Sequence, residues 1–309
     1  MTDQAVAPGA LAATAPVAAP TAAPGAVPVA DALVARDDLE ASSGSATALL
    51  RTVVGSVLRP IGGWMSAAGA VRLMDGLGVP AATARSSLAR LCSRGVLRRE
   101  PRDGIAGYAL DPAAVPMLER GDARIFGERV EASAWCLLSF SFPERRRSSR
   151  DRLRRRLAAL GCGTVADGLW IAPAALEDEL AATAREIAGE AEVVLFADAA
   201  PRGDLAAGLA RWYDLPALRR AHESFLSRFG DVSHPADDAE AFAVWMRALD
   251  EWRVIPYRDP GLPAAELPGG WPGAASAALF ARLRDELELR AIAHAAALAG
   301  PDRGVWHAR

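Results

Sequence analysis

Asp103-Gly104 sits between two short strand-like runs, VLRRE (96–100) and IAGYAL (105–110). Two residues that tolerate positive φ, flanked by such runs, are a strong hairpin signal. What precedes the hairpin is helical. Pro80 suits the first turn of a helix, where the N–H groups have no partner in any case, and Gly95 suits the left-handed residue just past a helix end. A helix over 80–93 is therefore expected. Two shorter helices come before it, 46–58 with Leu49, Val53 and Val57 at helical spacing, and 64–76 with Ser66 placed to cap it. Arg59-Pro60-Ile61-Gly62-Gly63 breaks the pair. Three helices and a hairpin in this order predict a winged helix-turn-helix over 45–111.

The third helix sorts its residues by face. Ala84, Leu88 and Leu91 lie on one side and should pack inward. Thr83, Arg85, Ser86, Ser87 and Arg90 fall elsewhere, placed to enter a major groove of double-stranded DNA, with Arg94 near the helix end. Arg98, Arg99 and Arg102 on the hairpin suit phosphate contacts better than base reading. Residues 46–104 hold nine arginines against Asp75, Glu100 and Asp103, a net of +6 in a chain of 309 residues whose formal charge is −3. Such asymmetry suggests a phosphate-facing surface. Solvated arginines on an exposed face would account for the same numbers.

Beyond a linker helix over 112–132, the pattern changes. SAWCLLSFSF (133–142) is strand-like, 145–160 helical, 164–173 strand-like with a break at Asp167-Gly168, 174–189 helical, and AEVVLFADA (191–199) strand-like. This is the ferredoxin-like βαββαβ order, over a domain at 133–212. Its first helix carries eight arginines between 145 and 156. A solvated face, added DNA contact or packing on an acidic neighbour would each explain them. The remainder, 213–309, reads as an α-helical C-terminal domain: helices over 215–230, 236–252 and 274–298, with a loop at 253–273 dense in proline and glycine. Long loops inside compact domains tend to carry function. This one gathers Arg253, Tyr257, Arg258 and Asp259, although a rigid wrapper with Trp271 as a core plug is the alternative. The fold class expected is α+β multidomain.

Several classes are disfavoured. Cys92, Cys136 and Cys162 are too few, too scattered and odd in number for a disulfide framework or a zinc site, which suggests reduced thiols and a cytoplasmic protein. His222, His234, His294 and His307 show no metal-ligand spacing, so no metal is expected. No cofactor motif, such as a phosphate-binding glycine loop, is present. Residues 1–44, rich in alanine and proline and lacking a basic start, read as a disordered tail rather than a signal peptide. No run of about 18 apolar residues suggests a membrane span.

The helix and hairpin ATARSSLARLCSRGVL, the central block from AWCLLSFSFPERRR to GLWIAP, and WRVIPYRDPGLPAAELPGGWPG resemble three collinear segments of the PaaX family of phenylacetate-degradation repressors. The resemblance implies a homodimeric transcriptional repressor that binds a partly palindromic operator. It also implies release by an acyl-CoA, an aryl-CoA such as phenylacetyl-CoA in particular. By position, Arg85, Ser86, Ser87 and Arg90 match the recognition-helix segment, and Arg253, Asp259, Pro260, Leu262, Pro263, Trp271 and Gly273 match the C-terminal signature. Val96 replaces a tryptophan usual in the family, and Ser86-Ser87 replaces a Thr-Ala pair, so the operator read can differ. A thioester carries phosphates and an apolar tail, which makes Arg253, Tyr257, Arg258 and Asp259 the candidate effector-binding residues. Two rivals stand beside this reading. One is a ferredoxin-like metal-dependent nuclease, which needs a carboxylate at the end of the first central strand, where Ser139-Phe140-Ser141 stands instead. The other is a DNA-binding dimer with no small-molecule effector. The expectation adopted is a regulator rather than an enzyme.

Overall fold

The computed structural model describes residues 43–128, 130–189, 191–232 and 234–300. The Ala/Pro tail expected over 1–44 lies outside the described residues up to position 42. Ser45 opens the first helix. Its hydroxyl accepts from the Ala48 N–H at 3.2 Å, satisfying one of the donors that a helix start leaves spare. Helix α1 (Ala46–Val53) runs on into a wider π-helical turn, Val54–Leu58. Gly62 and Gly63, both at positive φ, then redirect the chain.

Trp64–Ser66 forms strand β1, which corrects the helix expected from residue 64. Trp64, Met65 and Ser66 pair with Ala109, Tyr108 and Gly107. Three apolar or small residues satisfy either period, so only the partner strand, more than forty positions away, decides between them. Ser66 still caps helix α2 (Ala67–Gly76), accepting from the Gly69 N–H at 3.0 Å. Helix α3 (Ala81–Ser93) starts after Pro80 and closes on Gly95, whose φ is +70°. The Val96 N–H reaches the Leu91 carbonyl at 3.0 Å and the Gly95 N–H the Cys92 carbonyl at 3.1 Å, a Schellman closure. Strands β2 (Leu97–Arg99) and β3 (Gly107–Leu110) form the hairpin. Asp103 (φ 48°) and Gly104 (φ 76°) supply the mirror-image turn that suits the twist of paired strands. The first sheet is ordered β1-β3-β2.

Helix α4 (Val115–Phe126) leads to the central unit. There β4 (Trp135–Ser141), α5 (Arg147–Ala159), β5 (Gly163–Ala166), β6 (Leu169–Pro173), α6 (Glu177–Ala188) and β7 (Glu192–Ala199) follow in turn. Their antiparallel sheet runs β5-β6-β4-β7, the arrangement of two interleaved βαβ units. Alternate residues of β4 serve two cores. Cys136, Leu138 and Phe140 pack under α5 and α6 with Leu153, Leu157 and Leu180. Trp135 and Leu137 face the other way, against Leu209, Leu215, Leu218 and Leu262. Those come from α7 (Leu205–Trp212), α8 (Leu215–Phe229) and the proline-rich loop.

Helices α9 (Asp238–Trp252), the short α10 (Ile255–Arg258) and α11 (Gly273–Ala299) complete the chain described. They do not form a core of their own. One continuous cluster joins Leu50, Val54 and Val57 of the first helical segment and Leu73 of α2 to Phe242, Trp245 and Leu249 of α9 and Phe280 and Leu283 of α11. Helix α2 approaches α11 so closely that a Cβ at Gly69 would run into the Leu298 carbonyl, so only glycine fits there. Among the described residues no helix is long and apolar enough to cross a membrane.

Candidate functional site

Two surfaces collect the chemistry that the sequence singled out. The first is the outer face of α3 with the hairpin beside it. Ala84, Leu88 and Leu91 are buried, as their spacing predicts, while Thr83, Arg85, Ser86 and Arg90 are exposed. Ser87 is a correction. It is 2% exposed, and its hydroxyl lies 3.2 Å from that of Thr47 on α1. At 100° per residue it falls beside Leu88 and Leu91 rather than with Arg85, so it cannot face a groove.

The arginines are held differently. Arg85, Arg90 and Arg99 are exposed and have no carboxylate partner among the described residues. Arg98 pairs with Glu100 at 2.6 Å. Arg102 reaches the same carboxylate at 2.9 Å and lies 5.3 Å from the centre of the Trp64 ring. Arg94 is half-buried at the α3 C-cap. Glu100 therefore ties down two of the hairpin's cations and leaves Arg99 for an outside anion.

The arginine run on α5 divides in a similar way. Arg154 pairs with Asp167 at 3.0 Å and Arg156 with Glu186 at 3.8 Å. Arg147, Arg152 and Arg155 point to solvent. Packing on an acidic neighbour thus explains part of this run and solvation another part.

The second surface is a partly open cleft between α1, α4 and the corner joining α9 to α10. Leu118, Ile125, Phe126 and Leu249 give it apolar walls; Arg51, Thr52, Asp122, Arg253 and Tyr257 give it polar ones, with Asp122 paired to Arg59. Of the loop residues expected to meet there, Arg253 and Tyr257 line the cleft. Arg253 is 8% exposed, and its Nε donates to Asp250 at 3.0 Å. The Arg124 guanidinium stacks 4.8 Å from the Tyr257 ring centre. The other two stand apart from it. Arg258 is exposed and outside the lining residues. Asp259 is buried and accepts from the Gly261 and Leu262 N–H groups at 3.2 and 3.3 Å, holding the loop closed.

Sequence reasoning missed Arg51, Thr52 and Asp250, whose roles depend on residues some 200 positions away. Only the oddity of a charge within the apolar stretch 46–58 hinted at Arg51. It also missed a buried set in which His222 lies 2.6 Å from the Ser276 hydroxyl and 3.2 Å from Asp259. All three are at most 3% exposed. A serine so enclosed cannot meet a substrate, so the set serves as a strut between α8, α11 and the loop. Trp271 packs edge-on to His222, with Arg219 5.1 Å from its ring centre. No group of three or more His, Cys, Asp or Glu among the described residues is placed to hold a metal ion.

Comparison with known proteins covers these units in order. Residues 45–113 match the PaaX-like protein family, 130–208 the PaaX protein central Cas2-like domain, and 213–297 the PaaX-like protein C-terminal domain. The chain belongs to the PaaX family. Among PaaX proteins, the transcriptional repressor PaaX of Escherichia coli (strain K12) is 24% identical over 245 residues, 74% of this chain and 76% of the relative. An uncharacterized protein from Mycobacterium tuberculosis shares the fold, with a TM-score of 0.50 and 23% identity over 79% of this chain and 97% of the other. The PaaX central Cas2-like segment coincides with the β5-β6-β4-β7 sheet and its helices.

Proposed function

We propose that this PaaX-family chain is a sequence-specific DNA-binding transcriptional repressor, acting in the cytoplasm as a homodimer on a palindromic operator. We read the first unit as a winged helix-turn-helix, with α3 as the recognition helix and the β2–β3 hairpin as the wing. The observation that carries this is the exposed set Arg85, Arg90 and Arg99, without carboxylate partners among the described residues, on a chain of net charge −3. A guanidinium facing a base edge or a phosphate gains a charge-assisted bond that solvent does not supply as well. The repressor named among its relatives supports the same reading.

The effector proposed is an acyl-CoA, an aryl-CoA such as phenylacetyl-CoA in the first instance. Arginine and aromatic surface in the cleft suit a thioester carbonyl and its apolar tail. Binding would favour a dimer arrangement whose recognition helices no longer match successive major-groove turns. A non-enzymatic role is supported by β4, whose final residues Ser139, Phe140 and Ser141 offer no carboxylate for a metal ion.

The test is a gel shift on the DNA upstream of the chain's own gene. Arg85→Ala with Arg90→Ala should abolish the specific shift, and losing two base contacts at about 1–3 kcal/mol each is enough to do so. A normal operator footprint from the double variant would remove α3 from the DNA.

A further inference from the structure

The cleft and α3 are joined by hydrogen bonds through one buried carboxylate. Asp250 on α9 is 1% exposed. Its Oδ1 accepts from Arg253 Nε at 3.0 Å and from the Thr52 hydroxyl at 2.8 Å. Its Oδ2 accepts from the Gly44 N–H at 2.6 Å, just ahead of α1. Arg253 and Thr52 both line the cleft. At the other end of α1, Thr47 meets Ser87 on the inner face of α3. The route thus runs from the cleft wall to Asp250, along α1, and into the helix that carries Arg85 and Arg90.

We propose that this cleft binds a small ligand bearing a carbonyl or oxyanion oxygen on an apolar or aromatic body, and that Asp250 passes its occupancy to α3. The proposal rests on the effector reading above and adds where the ligand sits and how the signal leaves. The lining sets the ligand chemistry. Arg51 and Arg253 are 6% and 8% exposed, and a recessed guanidinium binds an oxygen acceptor more strongly than one in water. Leu118, Ile125, Phe126 and Leu249 receive the apolar body.

The same geometry sets the response. A ligand oxygen that draws the Arg253 guanidinium toward the cleft competes with Asp250 for it. A buried carboxylate that loses a donor must strengthen its remaining bonds, and those go to Thr52 and Gly44 at the two ends of α1. α1 is packed against α3 through a close-packed interior, so its displacement moves α3 with it.

The experiment uses the full chain, phenylacetyl-CoA and free CoA. Thioester binding is measured by calorimetry without DNA, and operator affinity with and without the thioester. The wild type should bind phenylacetyl-CoA and lose roughly tenfold or more in operator affinity, a usual size for coupling between two sites. Gly121→Leu fills the cleft; a Cβ there has only the Tyr257 hydroxyl nearby, at 3.9 Å. This variant should bind operator normally and bind no thioester. Asp250→Asn should bind the thioester yet keep its operator affinity when the thioester is present. Thr47→Val, which removes the hydroxyl that meets Ser87 and lies outside the cleft lining, repeats that test should Asp250→Asn fail to fold. Thioester binding by Gly121→Leu at wild-type strength would place the ligand elsewhere. A full operator response in Asp250→Asn, or in Thr47→Val if the former does not fold, would overturn the relay. A wild type that binds no thioester overturns the site together with the effector reading. A wild type that binds thioester but no duplex sinks the DNA reading and the relay, and leaves the site to be decided by Gly121→Leu.

Discussion

Arg85 and Ser87 stand two positions apart on α3, yet one projects into solvent and the other is sealed against Thr47. Residue type alone does not separate them; the helical angle does, once the buried face is known. The cysteines are a second case. Burial pushes the Cys136 thiol up to about 11 and the Cys162 thiol beyond the usual thiol range, with the nearby charge of Glu177 adding to the rise at Cys136. Burial also raises Cys92, but less, and the Arg99 guanidinium pulls it back. The thiolate is the reactive form. An aromatic disulfide reagent at mildly alkaline pH should therefore label Cys92 first, and Cys136 and Cys162 only as the protein unfolds. Peptide mapping after partial labelling checks this, and equal early labelling of all three would contradict the burial described.

The hairpin shows what an element adds to its residues. Arg98, Arg99 and Arg102 look alike along the chain, but strand alternation and Glu100 divide them. Arg99→Gln should lower the slope of log Kobs against log salt by about 0.9, the effect of one lost phosphate contact. Arg98→Gln should change it less, because Glu100 already holds that charge. Slopes measured on specific and random duplexes decide the matter, and an unchanged slope for Arg99→Gln would take the hairpin out of the interface. The elements themselves were largely legible. The α3 boundaries and the Asp-Gly turn follow from Pro80, Gly95 and Gly104, whose conformational limits act within a few residues. β1 was not legible, since its partner is β3.

At the scale of the whole molecule, the first unit and the last helices share one core. Phe280 stacks on Trp252 at 4.6 Å and on Trp245 at 5.5 Å, in the cluster that also takes in Leu50 and Val54. Phe280→Ala should cost about 3–5 kcal/mol. It should raise amide exchange in α1 and α9 together, as one cooperative unit. Protection lost in α9 while α1 stays fully protected would show two independent cores. This shared core also makes a link between cleft and α3 physically reasonable, since close-packed interiors pass on displacement.

Periodicity, caps and turn residues act over a few positions, so the sequence by itself determined most helices, the hairpin, the βαββαβ order and the outward set Thr83, Arg85, Ser86 and Arg90. Tertiary structure alone decided the third strand of the first sheet, the burial of Ser87, the withdrawal of Asp259 into a loop cap and the meeting of Thr52 and Arg253 at Asp250. Each of these depends on which distant face covers a residue, and a pattern along the chain records that a face is apolar without recording what packs on it.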